Sequence, residues 1–260
     1  MPKTFTLTGD QLAAFERAGV LRLPGFYPAS AVASMADALW DDLGRRYGAL
    51  RDRPETWTDQ RPAKFQSLGR SGAFAPVASP ALHALVDGLL GEGRWRMVGN
   101  TGPLVTFPNG PWRLPRAGWH TDGPTWPTGA REASSFLRLF VLLEPAAVRG
   151  GGTLCVTGSH RLLQVLADEE GAMLRSPTGR ERLRRESPWF DALWGGDEAD
   201  RTRTLMEDGA VVRGVAVRVE EMIGEPGDLI LMRASVLHAI APNESDRPRL
   251  ALVSTAMAMG

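Results

Sequence analysis

An α+β fold, mainly β, is what the sequence predicts, and three observations carry the expectation. Amphipathic helical spacing is gathered before residue 92. From Arg94 on, short runs rich in Val, Leu, Phe and Thr recur, punctuated by Gly, Pro and Asn. One helical or irregular segment, residues 161 to 205, interrupts those runs. Helices first and strands afterwards is the order of a chain built around a sandwich or barrel.

The elements follow in order. In "LTGDQLAAFERAGVLRLPGF", Thr8 and Gln11 have capping-box spacing, Leu12 and Phe15 mark one helical face, and Gly19 is a stop before the alternating "VLRLPGF". "PASAVASMADALWDDLGRRYGAL" predicts a second helix, with Ser30 as its cap and Met35, Leu39 and Leu43 on one stripe. Residues 51 to 78 have neither period and read as a long ordered loop, a feature uncommon in compact domains unless functional. "SPALHALVDGLLGEG" restores a helix, with Ser79 as cap, Pro80 at its first position and Gly91 as its end; His83 on it is a structural or surface residue. The strands are "RWRMVG", "PLVTF", "SSFLRLFVLLE", "GGTLCVTG", "AVVRGVAVRVEEM", "GDLILMR" and "RLALVSTAMAM".

The 260 residues suffice for one large domain. Thirty basic and thirty acidic residues cancel, which argues against a nucleic-acid binder. Only Lys3 and Lys64 are lysines. The arginine bias reads first as coding-sequence composition and second as an arginine-lined pocket for an anionic substrate. No apolar run spans a bilayer, "MPKTFTLTGDQ" lacks signal-peptide character, and Cys155, the single cysteine, allows no internal disulfide. The expectation is a cytoplasmic protein, monomeric or weakly dimeric, with no membrane or nucleic-acid partner.

The chemistry centres on "GWHTDGPTW", residues 118 to 126. In extended backbone His120 and Asp122 share one face. H-x-D alone is common, but His238 supplies a second imidazole after the strand "GDLILMR". Two histidines and one carboxylate with open positions form the facial triad of non-haem iron(II) oxygenases. Arg249, eleven residues beyond His238, is a cation suited to hold a dicarboxylate that chelates the metal at its other end.

These blocks together resemble the phytanoyl-CoA dioxygenase family of iron(II)/2-oxoglutarate-dependent oxygenases. The matching segments, in order, are "LTGDQLAAFERAGVLRLPGF", "GWHTDGPTW", "GGTLCVTGSHR" and "GEPGDLILMRASVLHAIAPNESDRPRLAL". The match is weakest in residues 45 to 78 and 161 to 210; the distal block is the most specific, since His238, Asn243, Ser245 and Arg249 keep the family's order and spacing. The resemblance implies a double-stranded β-helix (a jelly roll) with the N-terminal helices packed on one sheet. It implies a single oxygenase domain over 1–260; the insertion at about 161–210, a long irregular segment on a β scaffold, is expected to be a lid. It implies His120, Asp122 and His238 as metal ligands, and Arg249, rather than Arg247, as partner of the 2-oxoglutarate C5 carboxylate. Thr153 is carried as a further cosubstrate contact. Iron(II), 2-oxoglutarate and oxygen are the implied cofactor and cosubstrates, with succinate and carbon dioxide released.

Other residues keep two readings. His160, in "TGSHR", is structural or supports the ligands from behind. Trp119 and Trp126 are core or pocket, and Trp126 is the substrate candidate of the pair. Phe136, Arg138 and Phe140 alternate onto one face; Arg138 and Phe140 are substrate candidates, although the arginine could equally reach solvent. "GRERLRRE" is a solvated helix face. The implied function is oxidation of an unactivated C–H bond of a small molecule in specialised metabolism, by hydroxylation or by desaturation, epoxidation or cyclisation. A halogenase is disfavoured because Asp122 stands where such enzymes need a small residue. A non-catalytic binding homologue is the rival from another class. Loop 51–78 and the insertion are expected to hold the substrate determinants and to cover the metal.

Overall fold

The computed structural model describes residues 5–59, 61–130 and 136–259. Helix α1 (Gly9–Ala18) starts at the predicted capping box: the Thr8 hydroxyl accepts from the Gln11 N–H at 3.2 Å, and the Gln11 side chain accepts from the Thr8 N–H at 2.9 Å. Two first-turn donors that the helix cannot satisfy are thus paired. Gly19, at φ 77°, turns the chain from the helix into β1 (Val20–Leu23). Helix α2 (Ala29–Tyr47) begins before Ser30, with Pro28 at its N-cap, so Ser30 lies inside the first turn and caps nothing. Proline has no N–H to leave unpaired and stands at a helix start without loss.

Residues 51–78, read as one loop, contain helical turns at Pro54–Thr56 and Ala75–Val77 and the short helix α3 (Gln66–Arg70). None is long enough to show a period. Helix α4 (Pro80–Leu90) is capped as predicted, the Ser79 hydroxyl accepting from the Leu82 N–H at 3.2 Å.

The two predicted strands after it are one, β2 (Trp95–Thr106), with a register shift between Val98 and Gly102. Next come β3 (Phe136–Leu142) and β4 (Thr153–Thr157); Ser134 and Ser135, predicted to open β3, lie outside the described residues. Helices α5 (Ser159–Glu170), α6 (Ser176–Glu186), α7 (Pro188–Asp191) and α8 (Glu198–Thr202) fill the insertion. The run "AVVRGVAVRVEEM" is a hairpin, β5 (Ala210–Val212) and β6 (Val215–Glu221). Then β7 (Leu229–Arg233), β8 (His238–Ile240) and β9 (Arg249–Ala258) complete the chain. Strand β8 was not predicted, because three residues are too few to show alternation.

The strands form two antiparallel sheets, ordered β1-β7-β3-β9-β2 and β5-β6-β4-β8. This is the double-stranded β-helix. Three apolar layers hold it. Leu137, Leu139 and Val141 of β3 face outward onto Phe15, Met35, Leu39, Leu43 and Leu82, so the N-terminal helices seal the outer face of the larger sheet. Phe140, Cys155, Met232 and Ala251 fill the space between the sheets. Val215, Val217 and Val219 of β6 face Leu163, Leu166, Leu183 and Phe190 of the insertion. The insertion is therefore a helical layer with a buried core of its own on the smaller sheet. Among the described residues, no helix is long and apolar enough to cross a membrane.

Candidate active site

His120 and His238 are joined by their backbones. The N–H of each donates to the carbonyl of the other at 2.9 Å, and the Asp122 N–H donates to the Ala234 carbonyl at 2.9 Å. The turn carrying H-x-D is thus fixed to β8 and the segment before it. Gly123 lies so close to this segment that a Cβ would meet Ala234 Cβ at 3.2 Å and Phe136 at 3.4 Å. That crowding accounts for glycine immediately after Asp122.

The imidazoles are oriented from behind. His120 Nδ1 lies 2.7 Å from the Gly118 carbonyl and His238 Nδ1 3.0 Å from the Val236 carbonyl. A carbonyl can only accept, so each Nδ1 carries the proton and each Nε2 presents a lone pair. His120 Nε2 is 3.6 Å from Asp122 Oδ1, and His238 Nε2 is 3.5 Å from Asp122 Oδ2. One donor atom from each of the three residues falls within 4.8 Å of the others. Two neutral imidazoles and a carboxylate suit a divalent transition metal and leave coordination positions for other ligands.

Charge reinforces the arrangement. The Asp122 carboxylate beside it lifts the His120 imidazole above its ordinary range, against the effect of burial. Burial acts to raise the Asp122 carboxyl, but His120, His238 and Arg138 outweigh it and hold the group below the usual carboxylate range. Burial pushes the His238 imidazole down, toward its neutral, metal-ready form.

Arg249 opens β9 and is 2 % exposed. Its Nη2 donates to the Thr153 hydroxyl at 3.2 Å, while its Nε and Nη1 are buried with no partner among the described residues. Burial pushes the guanidinium down to about 10, which leaves it cationic at neutral pH. Glu221 favours the charge from a distance without forming an ion pair; a buried cation with unpaired donors is costly, and an anion in contact is the group that would relieve it. Both the donor set and this orphaned cation fit iron(II) with 2-oxoglutarate. Arg247 is exposed, on the far side of Pro248. The turn before Arg249 is tied by Asn243, fully buried, whose amide donates to the Thr106 and Arg247 carbonyls at 3.0 and 2.7 Å. Ser245 donates its N–H to the Asn243 side chain at 3.0 Å. A cavity of about 460 Å³ reaches Arg249 between β2 and loop residues 61–66, with Lys64 and Gln66 on its wall.

The remaining predicted residues divide. Arg138 reaches Asp122, its Nε 2.8 Å from Oδ2, and also bonds the Thr255 hydroxyl. Phe140 is 3 % exposed and packs between the sheets. Trp126 lines a second cavity beyond Asp122. Trp119 is wholly buried, its indole N–H donating to the Pro115 carbonyl at 3.0 Å. His160 stays outside the ligand group, bonded through Nε2 to the Glu16 carbonyl at 3.1 Å. His83 leans on the Trp95 ring.

Sequence reasoning missed the supports of the H-x-D turn. The Ser176 hydroxyl accepts from the Thr121 N–H at 2.9 Å, and Arg180 Nη1 donates to the Trp119 carbonyl at 2.8 Å. Arg180 belongs to "GRERLRRE"; that run is not wholly a solvated face. Thr125 and Leu174 exchange backbone bonds of 2.9 and 2.8 Å. No periodicity signals such contacts, because they are made by single residues from distant segments. Cys155 pairs in register with His238 and is buried between the sheets, a position its local sequence does not mark.

A family model described as phytanoyl-CoA dioxygenase (PhyH) matches residues 15–251. By sequence, the chain matches none of the curated proteins. Among solved structures it is similar to HygX from Streptomyces hygroscopicus with nickel and 2-oxoglutarate bound, at TM-score 0.59 and 17% identity, over 98% of this chain and 88% of that one. It is similar to SnoK, a non-haem α-ketoglutarate-dependent carbocyclase from nogalamycin biosynthesis, at TM-score 0.60 and 18% identity, over 97% and 84%. AviO1 from Streptomyces viridochromogenes Tue57 matches at TM-score 0.55 and 15% identity, over 96% of both chains.

Proposed function

The chain belongs to the phytanoyl-CoA dioxygenase family of non-haem iron(II)/2-oxoglutarate-dependent oxygenases, and on that premise we propose that it oxidises an unactivated C–H bond of a small molecule in specialised metabolism. Hydroxylation is the primary reading. The observation that carries it is the convergence of His120 Nε2, the Asp122 carboxylate and His238 Nε2 within 4.8 Å. Iron(II), when bound there with 2-oxoglutarate, supplies the oxygen reduction and the oxidising power, with succinate and carbon dioxide as by-products.

The chain's own residues do the rest. His120 and His238 offer Nε2 because the Gly118 and Val236 carbonyls hold the Nδ1 protons. Asp122 offers a carboxylate that His120, His238 and Arg138 together hold below its usual range. Arg249 and Thr153 anchor the far carboxylate of 2-oxoglutarate, whose charge would offset that of the buried guanidinium. Phe140, Cys155, Met232 and Ala251 form an apolar floor that excludes water.

On this reading the chain is one oxygenase domain, and its moving cover is narrower than the whole insertion. Leu163, Leu183 and Phe190 are sealed against the smaller sheet. The part of the insertion nearest the metal group is the segment joining α5 to α6, where Leu174 and Ser176 bond the H-x-D turn.

A second reading, oxidation ending in ring closure or epimerisation, is favoured by two similar structures, the carbocyclase SnoK and the epimerase SnoN of nogalamycin biosynthesis. Every residue named above serves either outcome. The test is anaerobic addition of iron(II) and 2-oxoglutarate to the folded protein, followed by succinate assay against candidate substrates. A weak visible charge-transfer band and slow succinate release without substrate are expected. Folded protein giving neither at saturating cosubstrate, or activity with zinc alone, would overturn the oxygenase reading.

A further inference from the structure

A cavity of about 680 Å³ lies beyond the H-x-D turn, walled by Pro124–Trp126, the end of α1, the start of α5 and residues 233–235. Its volume suits a small organic molecule. Three guanidinium groups line it: Arg17 from the last turn of α1, Arg161 from the first turn of α5 and Arg233 from the end of β7. The single carboxylate on the wall, Glu16, is already paired with Arg233. Arg17 and Arg161 have no ion-pair partner among the described residues. The indole N–H of Trp126 is buried on the same wall without an acceptor. In a chain whose formal charges cancel, three cations against one neutralised anion around one concavity is a local excess with a direction.

We propose that this cavity is an oxyanion subsite, taking the phosphate or sulfate group of a small organic molecule. Arg17 and Arg161 supply the charge and Trp126 a neutral donor. Guanidinium is the fitting group, because its planar fork matches two oxyanion oxygens at once where an ammonium would meet them as a point charge. The Glu16–Arg233 pair sets the limit of the site: it removes one cation from the ligand's reach and holds the wall in place. The inference does not rest on the iron chemistry. The shared ligand chemistry has two sources, a charged group on the substrate itself or a separate effector.

Inorganic phosphate is the first probe, titrated by calorimetry at low ionic strength against the full chain. Saturable binding that falls by about tenfold or more in Arg17→Ala/Arg161→Ala is expected, since two charge-assisted contacts are lost. Arg96→Ala, an exposed arginine on β2, should leave binding unchanged. Trp126→Phe, which removes the N–H donor together with the pyrrole part of the ring, should weaken binding by a smaller factor. Circular dichroism confirms folding; both arginines of the double variant are exposed. Manganese(II) added to the His120/Asp122/His238 group then separates the sources through ³¹P relaxation. Strong enhancement that disappears in the double variant indicates a substrate group within reach of the metal. Binding without enhancement indicates an effector site. Phosphate affinity equal in the wild type and the double variant, or lost equally in Arg96→Ala, overturns the proposal.

Discussion

Arg138 Nε lies 2.8 Å from Asp122 Oδ2, while the same guanidinium holds the Thr255 hydroxyl across the sheet. The cation is anchored at one end on β9 and draws on one oxygen of the carboxylate. With His120 and His238, Arg138 holds Asp122 below the usual carboxylate range, and its hold on Oδ2 would favour metal contact through the other oxygen. Arg138→Leu removes charge and anchor together. Partners behind a metal ligand typically contribute about 10–100-fold to metal affinity. The expected result is weaker iron(II) or cobalt(II) binding by that order, measured anaerobically by competition with a chelator. Arg138→Lys should fall between the two, keeping the charge but losing the fork. Unchanged metal affinity in Arg138→Leu would show that Arg138 serves the substrate alone.

The metal group itself makes a simpler prediction. His120→Ala, Asp122→Ala and His238→Ala should each lose stoichiometric iron(II) while remaining folded. His160→Ala should keep it, because His160 lies outside the group that converges on one point. Metal analysis after gel filtration distinguishes these, and loss of iron in His160→Ala with the fold intact would require a different ligand set.

His160 instead governs stability at acid pH. Burial pushes its imidazole down from 6.5 to about 4. Its folded value is depressed, so between those pH values the unfolded chain binds a proton that the native state refuses. Stability therefore rises with pH through this window and is lost as pH falls from about 6.5 toward 4. A shift of this size corresponds to about 3 kcal/mol as an upper figure. His160→Gln cannot titrate, so its unfolding free energy should lose less on going from pH 7 to pH 4.5. Parallel curves for the two proteins in urea titrations would rule the mechanism out.

Asn243 offers a test of the turn before β9. It is fully buried, and Asn243→Ala removes the amide that donates to the Thr106 and Arg247 carbonyls, of which the Ser245 hydroxyl still serves the second. A buried polar group left unpaired costs about 1–3 kcal/mol. A drop of roughly that size in unfolding free energy is expected, together with weaker 2-oxoglutarate binding, since the same turn sets the register of Arg249. Full stability in the variant would show that water replaces the amide without cost.

Much of this fold was legible in the sequence because it follows from local chemistry. The Thr8–Gln11 box, the Ser79 cap and the Gly19 stop each need only neighbouring residues, and each is present. The alternation of β3 correctly separated Leu137 and Leu139 from Phe140. Family spacing brought out the residues that the fold gathers at the H-x-D turn, and Arg249 proved the buried arginine of its turn. What stayed hidden depends on tertiary contact. Ser176 and Arg180 support the H-x-D turn from more than fifty residues away, and nothing in their local sequence marks them. The three-residue β8 is defined by its partners and has no pattern of its own. Ser30 failed as a cap because Pro28 starts the helix first.

The strongest test concerns Arg249. Its Nε and Nη1 have no partner, and the Thr153 hydroxyl at 3.2 Å is its one hydrogen bond among the described residues. A carboxylate arriving there meets a desolvated fork already aimed and immobilised, so little entropy remains to be lost. Arg249→Leu would bury that carboxylate unpaired. Truncating one member of such a pair typically costs about 2–5 kcal/mol, which is roughly 30-fold to a few thousandfold in affinity. The loss should fall on 2-oxoglutarate while iron(II) binding survives, because Arg249 is not among the ligands. Arg249→Lys keeps a charge but not the two parallel contacts, and should recover only part of the loss. Thr153→Val should cost less than either, since the hydroxyl orients the guanidinium and bears no charge. Arg247→Leu, at an exposed position, should leave cosubstrate affinity close to wild type. Anaerobic titration of 2-oxoglutarate into the iron(II) protein, followed by the charge-transfer band, measures all four. A larger effect from Arg247 than from Arg249 would move the carboxylate to the outside of the turn, and the buried cation would then need another anion to explain it.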